Sequence, residues 1–296
     1  MRKFLLLLLV SVMLLTACGS SQSQKEADDA AISWSGKLNG EAETGGKVWD
    51  YQLTTKTVEK AHWDSRDHRV VASCTYEVPR MKIVGGLDHA DKNEVNPAHA
   101  IVKNFNDYFD SWLASRQGNF KEIAAMAQED YDDQRDSDVW SEKEYAYTDQ
   151  VTAAFWGNRR LVCITLSTAS FTGGVHEITG QESYTFDLRT GKMVSINDMV
   201  MDYNGLRDAV TEEILQQAAL RQDEEQVNFF SDYEKVIPEW MTRNVFFGPL
   251  GLTVAFDVYD IAPYASGEQM FSIPYEMVIP YLNEYGREVL ELPLAN

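Results

Sequence analysis

Cysteine, histidine and positive charge are all scarce in this chain, and each shortage excludes a class of chemistry. Three cysteines and five histidines stand in 296 residues. No Cys-x-x-Cys occurs, and His62, His68, His89 and His99 have no close ligand spacing, so the familiar zinc patterns are missing. His176-Glu177 begins like a zinc-protease helix, but Gly180 stands where the second histidine belongs. A Gly-x-Ser-x-Gly elbow and a phosphate-binding glycine loop are also lacking. Lys and Arg number 26 against 46 Asp and Glu, a formal charge of −20. That excess argues against nucleic acid and against charge-driven binding to anionic surfaces. By itself it reads first as solubility and second as a preference for cationic partners. With so many carboxylates, a pair of them carries little information. No catalytic residue, metal ligand or cofactor is assigned.

Long apolar runs are scarce too, and the single clear one is informative. It extends from Phe4 to Leu15, directly after Arg2 and Lys3, and is shorter than the ~20 residues a spanning helix needs. It closes in Leu15-Thr16-Ala17-Cys18, which reads as a bacterial lipobox ending an export signal. Residues 1–17 are then a signal peptide, Cys18 is the lipidated N-terminus, and the membrane is a partner through that lipid. An ordinary secretory signal with an incidental cysteine is the alternative. Residues 18–31 hold no large apolar side chain and read as a solvated tether. Losing Arg2 and Lys3 takes the charge to −22 on 279 residues. The expected location is the outer face of a bacterial membrane. Of the remaining cysteines, Cys74 and Cys163 each sit in an apolar, β-branched stretch. Two buried free thiols are expected, with a bridge as the alternative.

Beyond the tether, strands are expected at Val48–Thr55 and Arg69–Val78, with Pro79 ending or edging the second. Asn96-Pro97 reads as a helix start, and Ile101, Phe105, Tyr108, Phe109 and Trp112 recur at helical spacing. Gly118 is a weak point or break, Ile123–Met126 a continuation, and the acidic run Glu129–Asp138 a solvated loop. A calcium site there is the minor alternative, since the run lacks the glycine and terminal glutamate of a helix-loop-helix site. Three further strands, Glu144–Ala154, Arg160–Phe171 and Gln181–Leu188, suggest an antiparallel sheet half covered by the helix. A second helix is expected from Asn204 to Arg221 on the stripe Leu206, Val210, Ile214 and Ala218. A short helix near Ser231–Met241, a hairpin around Gly248-Pro249-Leu250-Gly251, a strand Met270–Ile273 and a helix opened by Pro274 complete the chain.

Two loops stand out. Thr172-Gly173-Gly174-Val175-His176 follows a long strand, and its paired glycines reach conformations closed to other residues. Composition alone reads it as a hairpin loop whose histidine caps a carbonyl. Ile261–Gly267 sets Tyr264 between Pro263 and Gly267, and its ring packs either inward as core or outward at a surface.

At these residues the chain resembles a family of exported bacterial domains of unknown function. Its members occur outside the membrane in the lysozyme-sensing anti-sigma-V factor and beside the catalytic domain of peptidoglycan deacetylase C. The matching pieces are Phe171–His176, Ser183–Lys192, Phe256–Gly267 and Phe271–Tyr275, within a resemblance from about Val48 to Leu282. Where the family has Ala-His-Gly, this chain has the bulkier, more acidic Val175-His176-Glu177. Neither a cytoplasmic anti-sigma segment nor a deacetylase domain is expected, and neither activity is carried over. The resemblance implies an α+β module in two parts. Residues 32–188 would form a helix packed on an antiparallel sheet, and residues 189–296 a smaller α/β region. Its ligand-binding residues would be Thr172, Gly173, Gly174, His176, Tyr259, Pro263, Tyr264 and Gly267. The expected role is a non-catalytic sensor or ligand-binding lipoprotein for a basic protein such as a lysozyme-type muramidase, or for a cell-wall ligand. The alternatives are a cell-envelope hydrolase using His176 with a carboxylate such as Glu177, and a structural accessory lipoprotein.

Overall fold

The expected strands and helices appear, several of them longer than the apolar pattern suggests. The computed structural model describes residues 38–41, 48–84, 97–135, 141 and 145–292. The signal peptide, the tether, Cys18 and Asn96 lie outside them. All described residues belong to one compact unit, Ser33–Asn296. Strands β1 (Leu38–Glu41), β2 (Val48–Trp63) and β3 (Val70–Ile83) lead into helix α1 (Pro97–Gln134). Next come β4 (Tyr147–Gly157), β5 (Leu161–Phe171), β6 (Ile178–Asp187) and β7 (Lys192–Val194). Helix α2 (Tyr203–Glu224) precedes a second sheet of β8 (Asn244–Phe247), β9 (Gly251–Phe256) and β10 (Gln269–Pro274). The class is α+β. No described helix is long and apolar enough to cross a membrane.

The first sheet runs in the order β1-β2-β3-β4-β5-β6-β7. It departs from the expected all-antiparallel pattern at one joint, where β3 and β4 pair in parallel from Ala72↔Tyr147 to Tyr76↔Val151. A parallel neighbour requires a crossover. Helix α1, about 57 Å long at 1.5 Å per residue, supplies it. β3 also runs through Pro79, which pairs across from Thr55. The proline is tolerated because the parallel pairing with β4 stops at Tyr76, so β3 has a free edge there. Asn106 of α1 covers part of that edge: its side chain accepts from the Met81 amide at 3.0 Å and donates to the Met81 carbonyl at 2.9 Å.

Helix α1 passes Gly118 without a break and continues into the acidic run as far as Gln134. A Cβ at Gly118 would meet nothing within 4 Å, so glycine there serves no close approach. Through residue 134 the acidic run is therefore helix and not loop. The reason is tertiary. Tyr131 is buried and donates to Asp67, Asp130 accepts from Tyr147, and Asp132 pairs with Arg66. Neighbouring acids thus point to different partners.

Two apolar cores lie on opposite faces of the first sheet, and β5 serves both. Val162, Ile164 and Leu166 face a core with α1, including Phe105, Phe109 and Phe186. Leu161 and Cys163 face the other core, made with α2 and the second sheet. Successive strand residues point to opposite faces, so the start of β5 is buried on both, and not on one as the helix-covered picture implied. Cys74 belongs to the α1 core and Cys163 to the other, and both are free and buried. On the second face Leu206, Val210, Ile214 and Ala218 of α2 are fully covered. Asp202 caps that helix by accepting from the Gly205 amide at 2.9 Å. The helix expected from Pro274 is instead three short pieces, Tyr275–Val278, Ile279–Tyr281 and Glu284–Val289. Pro280 has no amide proton to continue the first, and Asn283 caps the last.

Candidate functional site

The β5–β6 loop and the loop after β9 converge in a small ring cluster. The turn after β9 is built by its own backbone: the Asp260 amide donates to the Asp257 carbonyl at 3.0 Å and the Tyr259 amide to the Ala262 carbonyl at 3.1 Å. Asp260 Oδ2 accepts from the Asp257 amide at 3.1 Å. These bonds hold Tyr259 at φ 71°, a left-handed conformation that costs a non-glycine residue about 1–3 kcal/mol. Pro263 then precedes a single helical turn, Tyr264–Ser266, which ends at Gly267 with φ 67°.

Across from this loop the His176 ring stacks on Tyr264, with centroids 3.6 Å apart and planes within 10°. His176 Nε2 lies 3.1 Å from the Tyr259 hydroxyl, and Nδ1 lies 3.0 Å from the Glu177 backbone oxygen. A carbonyl only accepts, so Nδ1 carries a proton, and in the neutral ring Nε2 is the acceptor for Tyr259. The histidine does meet a carbonyl, as composition suggested, but it also joins two tyrosines that are distant in sequence. Tyr259 is about half exposed, and Val175 and Ile178, which flank His176 and Glu177 in sequence, are open to solvent.

Carboxylates line the inner side of the same loops. Asp257 Oδ1 accepts from the Gln181 amide at 3.0 Å, Glu268 accepts from the Gln181 side chain at 2.7 Å, and Asp260 pairs with Arg243 at 3.3 Å. Burial pushes the Asp257 carboxyl above its usual range, only partly opposed by the Gln181 bond. Among the described residues no three His, Cys, Asp or Glu side chains are placed to hold a metal ion.

The residues expected to act together do not all meet. His176, Tyr259 and Tyr264 touch, and Pro263 and Gly267 frame the turn that carries Tyr264. Gly173 and Gly174 turn elsewhere, into a cleft of about 160 Å³ with Tyr147, Tyr131, Asp130 and Phe171. Gly173 has φ 90°, and an added Cβ would lie 3.0 Å from the Tyr147 hydroxyl, so glycine is needed there for conformation and space. That hydroxyl donates to Asp130, and its pKa is pushed up to about 12, chiefly by burial. Thr172 is exposed beside them. Val175, Ile178, Asp257, Asp260 and Glu268 were not named as site residues, although Val175 lies within the first loop and Asp257 and Asp260 within the Phe256–Gly267 piece. Ile178 and Glu268 are signalled only by adjacency.

Residues 200–276 match DUF3298, a family described as "Protein of unknown function". That span holds two of the four pieces of the resemblance, Phe256–Gly267 and Phe271–Tyr275, while Phe171–His176 and Ser183–Lys192 lie outside it. Two solved structures share the fold. A DUF3298 family member from Bacteroides fragilis aligns with a TM-score of 0.58 at 17% identity, covering 81% of this chain and 96% of its own. A DUF3298 family protein from Pseudomonas aeruginosa PAO1 aligns with a TM-score of 0.51 at 17% identity, covering 82% of this chain and 97% of its own. No curated protein matches the chain.

Proposed function

We propose that the protein is a non-catalytic, lipid-anchored extracytoplasmic binding domain. Its partner in this reading is a basic protein of the lysozyme-type muramidase class, docked on Tyr259, His176 and Tyr264. The observation that carries the reading is the stack itself, in which rings from two loops brace one another and still reach solvent. Aromatic side chains held in one orientation lose little entropy on binding and concentrate interface energy. The carboxylates of Asp257, Asp260 and Glu268, which flank the turn carrying Tyr259 and Tyr264 in sequence, and a charge of −22 once residues 1–17 are removed favour a cationic partner. Complementary charge speeds association and makes it sensitive to salt. The ring nitrogens of His176 engage a hydroxyl and a backbone carbonyl instead of a carboxylate, which favours binding over hydrolysis. Acylation of Cys18 would hold the domain at the outer membrane face.

Titration calorimetry of residues 33–296 against a lysozyme-type muramidase tests the partner. Binding is expected at low salt and weaker binding at high salt, whereas no binding at low salt removes the muramidase reading. The anchor has its own test. Wild type should incorporate labelled palmitate and Cys18→Ala should not.

A further inference from the structure

A second site, joined to the ring-cluster loop only through the Arg243–Asp260 pair, lies in a cleft of about 340 Å³ between β6, β7, the short helix Ile196–Met199 and β8. That size falls at the small end of the ~300–1,000 Å³ typical of ligand pockets. Its apolar wall includes Met193, Val194, Ile196, Met241, Val245 and Phe247. The polar side offers Ser183, Thr185 and the Arg243 guanidinium. Asp198 also reaches the cleft, but its Oδ2 already accepts from the amide and hydroxyl of Ser195.

Arg243 is the unusual member. Two other sheltered arginines each face two carboxylates: Arg116 has Asp149 and Glu182, and Arg160 has Asp187 and Glu288. Arg243 pairs with Asp260 alone, through Nη1 at 3.3 Å, and lines the cleft. Its buried Nε has no partner, a feature it shares with Arg116 and Arg160, so the single carboxylate and the adjoining cleft are what set it apart. Asp257 is near enough to feel the charge, but its Oδ1 accepts from the Gln181 amide. A buried, unpaired guanidinium N–H calls for an acceptor. A carboxylate matches the guanidinium in shape and charge.

We propose that this cleft binds a small monocarboxylate with an apolar tail, its carboxylate on Arg243 and its tail against Met193, Met241, Val245 and Phe247. The site does not depend on the muramidase reading, since none of the three ring-cluster residues lines it.

Residues 33–296 labelled with ¹³C-methyl methionine provide the test, titrated with octanoate and, separately, with 1-octanol. Octanoate should shift the Met193 and Met241 methyl signals and leave Met81 and Met126, which do not line the cleft, in place. Octanol should bind about tenfold more weakly or worse, and Arg243→Gln should weaken octanoate by a similar factor without changing octanol. Unmoved Met193 and Met241 signals in wild type would overturn the site. Equal affinity for octanoate and octanol would overturn the carboxylate assignment, and because it is read on wild type it stands even if the Arg243 variant does not fold.

Discussion

Asp149 and His176 each engage tyrosine and other polar groups, yet their surroundings are opposite. Asp149, on β4, is 1% exposed. It accepts from the Tyr76 hydroxyl and from Ser170 Oγ, both at 2.6 Å, and from Arg116 of α1 at 3.0 Å. Burial, then the Asp149 bond, drives the Tyr76 hydroxyl far above its usual range, so it remains a donor. The same seam continues through Glu182, which accepts from Trp112 at 3.0 Å and Tyr184 at 2.7 Å. This cluster joins α1 to the sheet. Around His176 the rings are braced by each other and by the Glu177 carbonyl, and Tyr259 is about half exposed. The contrast separates two uses of similar side chains. Inside, every polar contact exchanges water for a fixed partner and specifies the packing. At the surface, the rings are positioned and still available.

The sharpest way to break this comparison is at Asp149. Asp149→Ala leaves the Tyr76 and Ser170 hydroxyls without their acceptor and Arg116 with Glu182 alone, and is expected to cost about 2–4 kcal/mol in urea unfolding. A loss below about 1 kcal/mol would mean that the seam does not hold α1 in place.

Tyr264→Ala should behave in the reverse way. It is expected to weaken muramidase binding by ~2 kcal/mol while leaving the unfolding midpoint close to wild type. Unchanged binding by a folded variant moves the docking surface elsewhere.

A smaller effect concerns Asp257, whose carboxyl is raised chiefly by burial. Below the unfolded value of about 3.9 both states hold the proton and nothing is lost. As pH rises through the folded value, the charged form costs stability. Asp257→Asn keeps an oxygen for the Gln181 amide, so its urea midpoint should exceed that of wild type at pH 7 and match it at pH 3. A lower midpoint at pH 7 would show that the carboxylate is favourable there.

The mildest test is chemical. Cys74 and Cys163 belong to cores on opposite faces of the sheet, so both thiols should resist alkylation in the folded protein and both react in denaturant without reductant. Protection of either in denaturant would contradict that placement.

Much of the architecture was legible in local pattern. The stripe of α1, the alternation in β5, the α2 face and the β8–β9 hairpin all follow from apolar residues repeating at the period of their own element. Both loops of the ring cluster were legible as well, because glycine and proline mark backbone conformations that sequence can announce. β2 was cut short at Thr55, since Lys56 to His62 offers little apolar alternation. The ladder with β3 nevertheless carries it to Trp63.

What the sequence determined alone was therefore the local set: helix and strand types, the negative charge and the two glycine-bearing loops. Only tertiary structure decided which partners these pieces meet. The parallel joint of β3 with β4 depends on where α1 returns the chain. The stack of His176 on Tyr264 unites residues 88 positions apart, while Gly173 and Gly174 leave the same loop for another cleft. The Arg243 cleft draws its walls from β6, β7 and β8, none of which carries a ligand motif of its own. Local conformation is governed by neighbours along the chain, whereas a cleft or a ring stack is a property of distant segments sharing space.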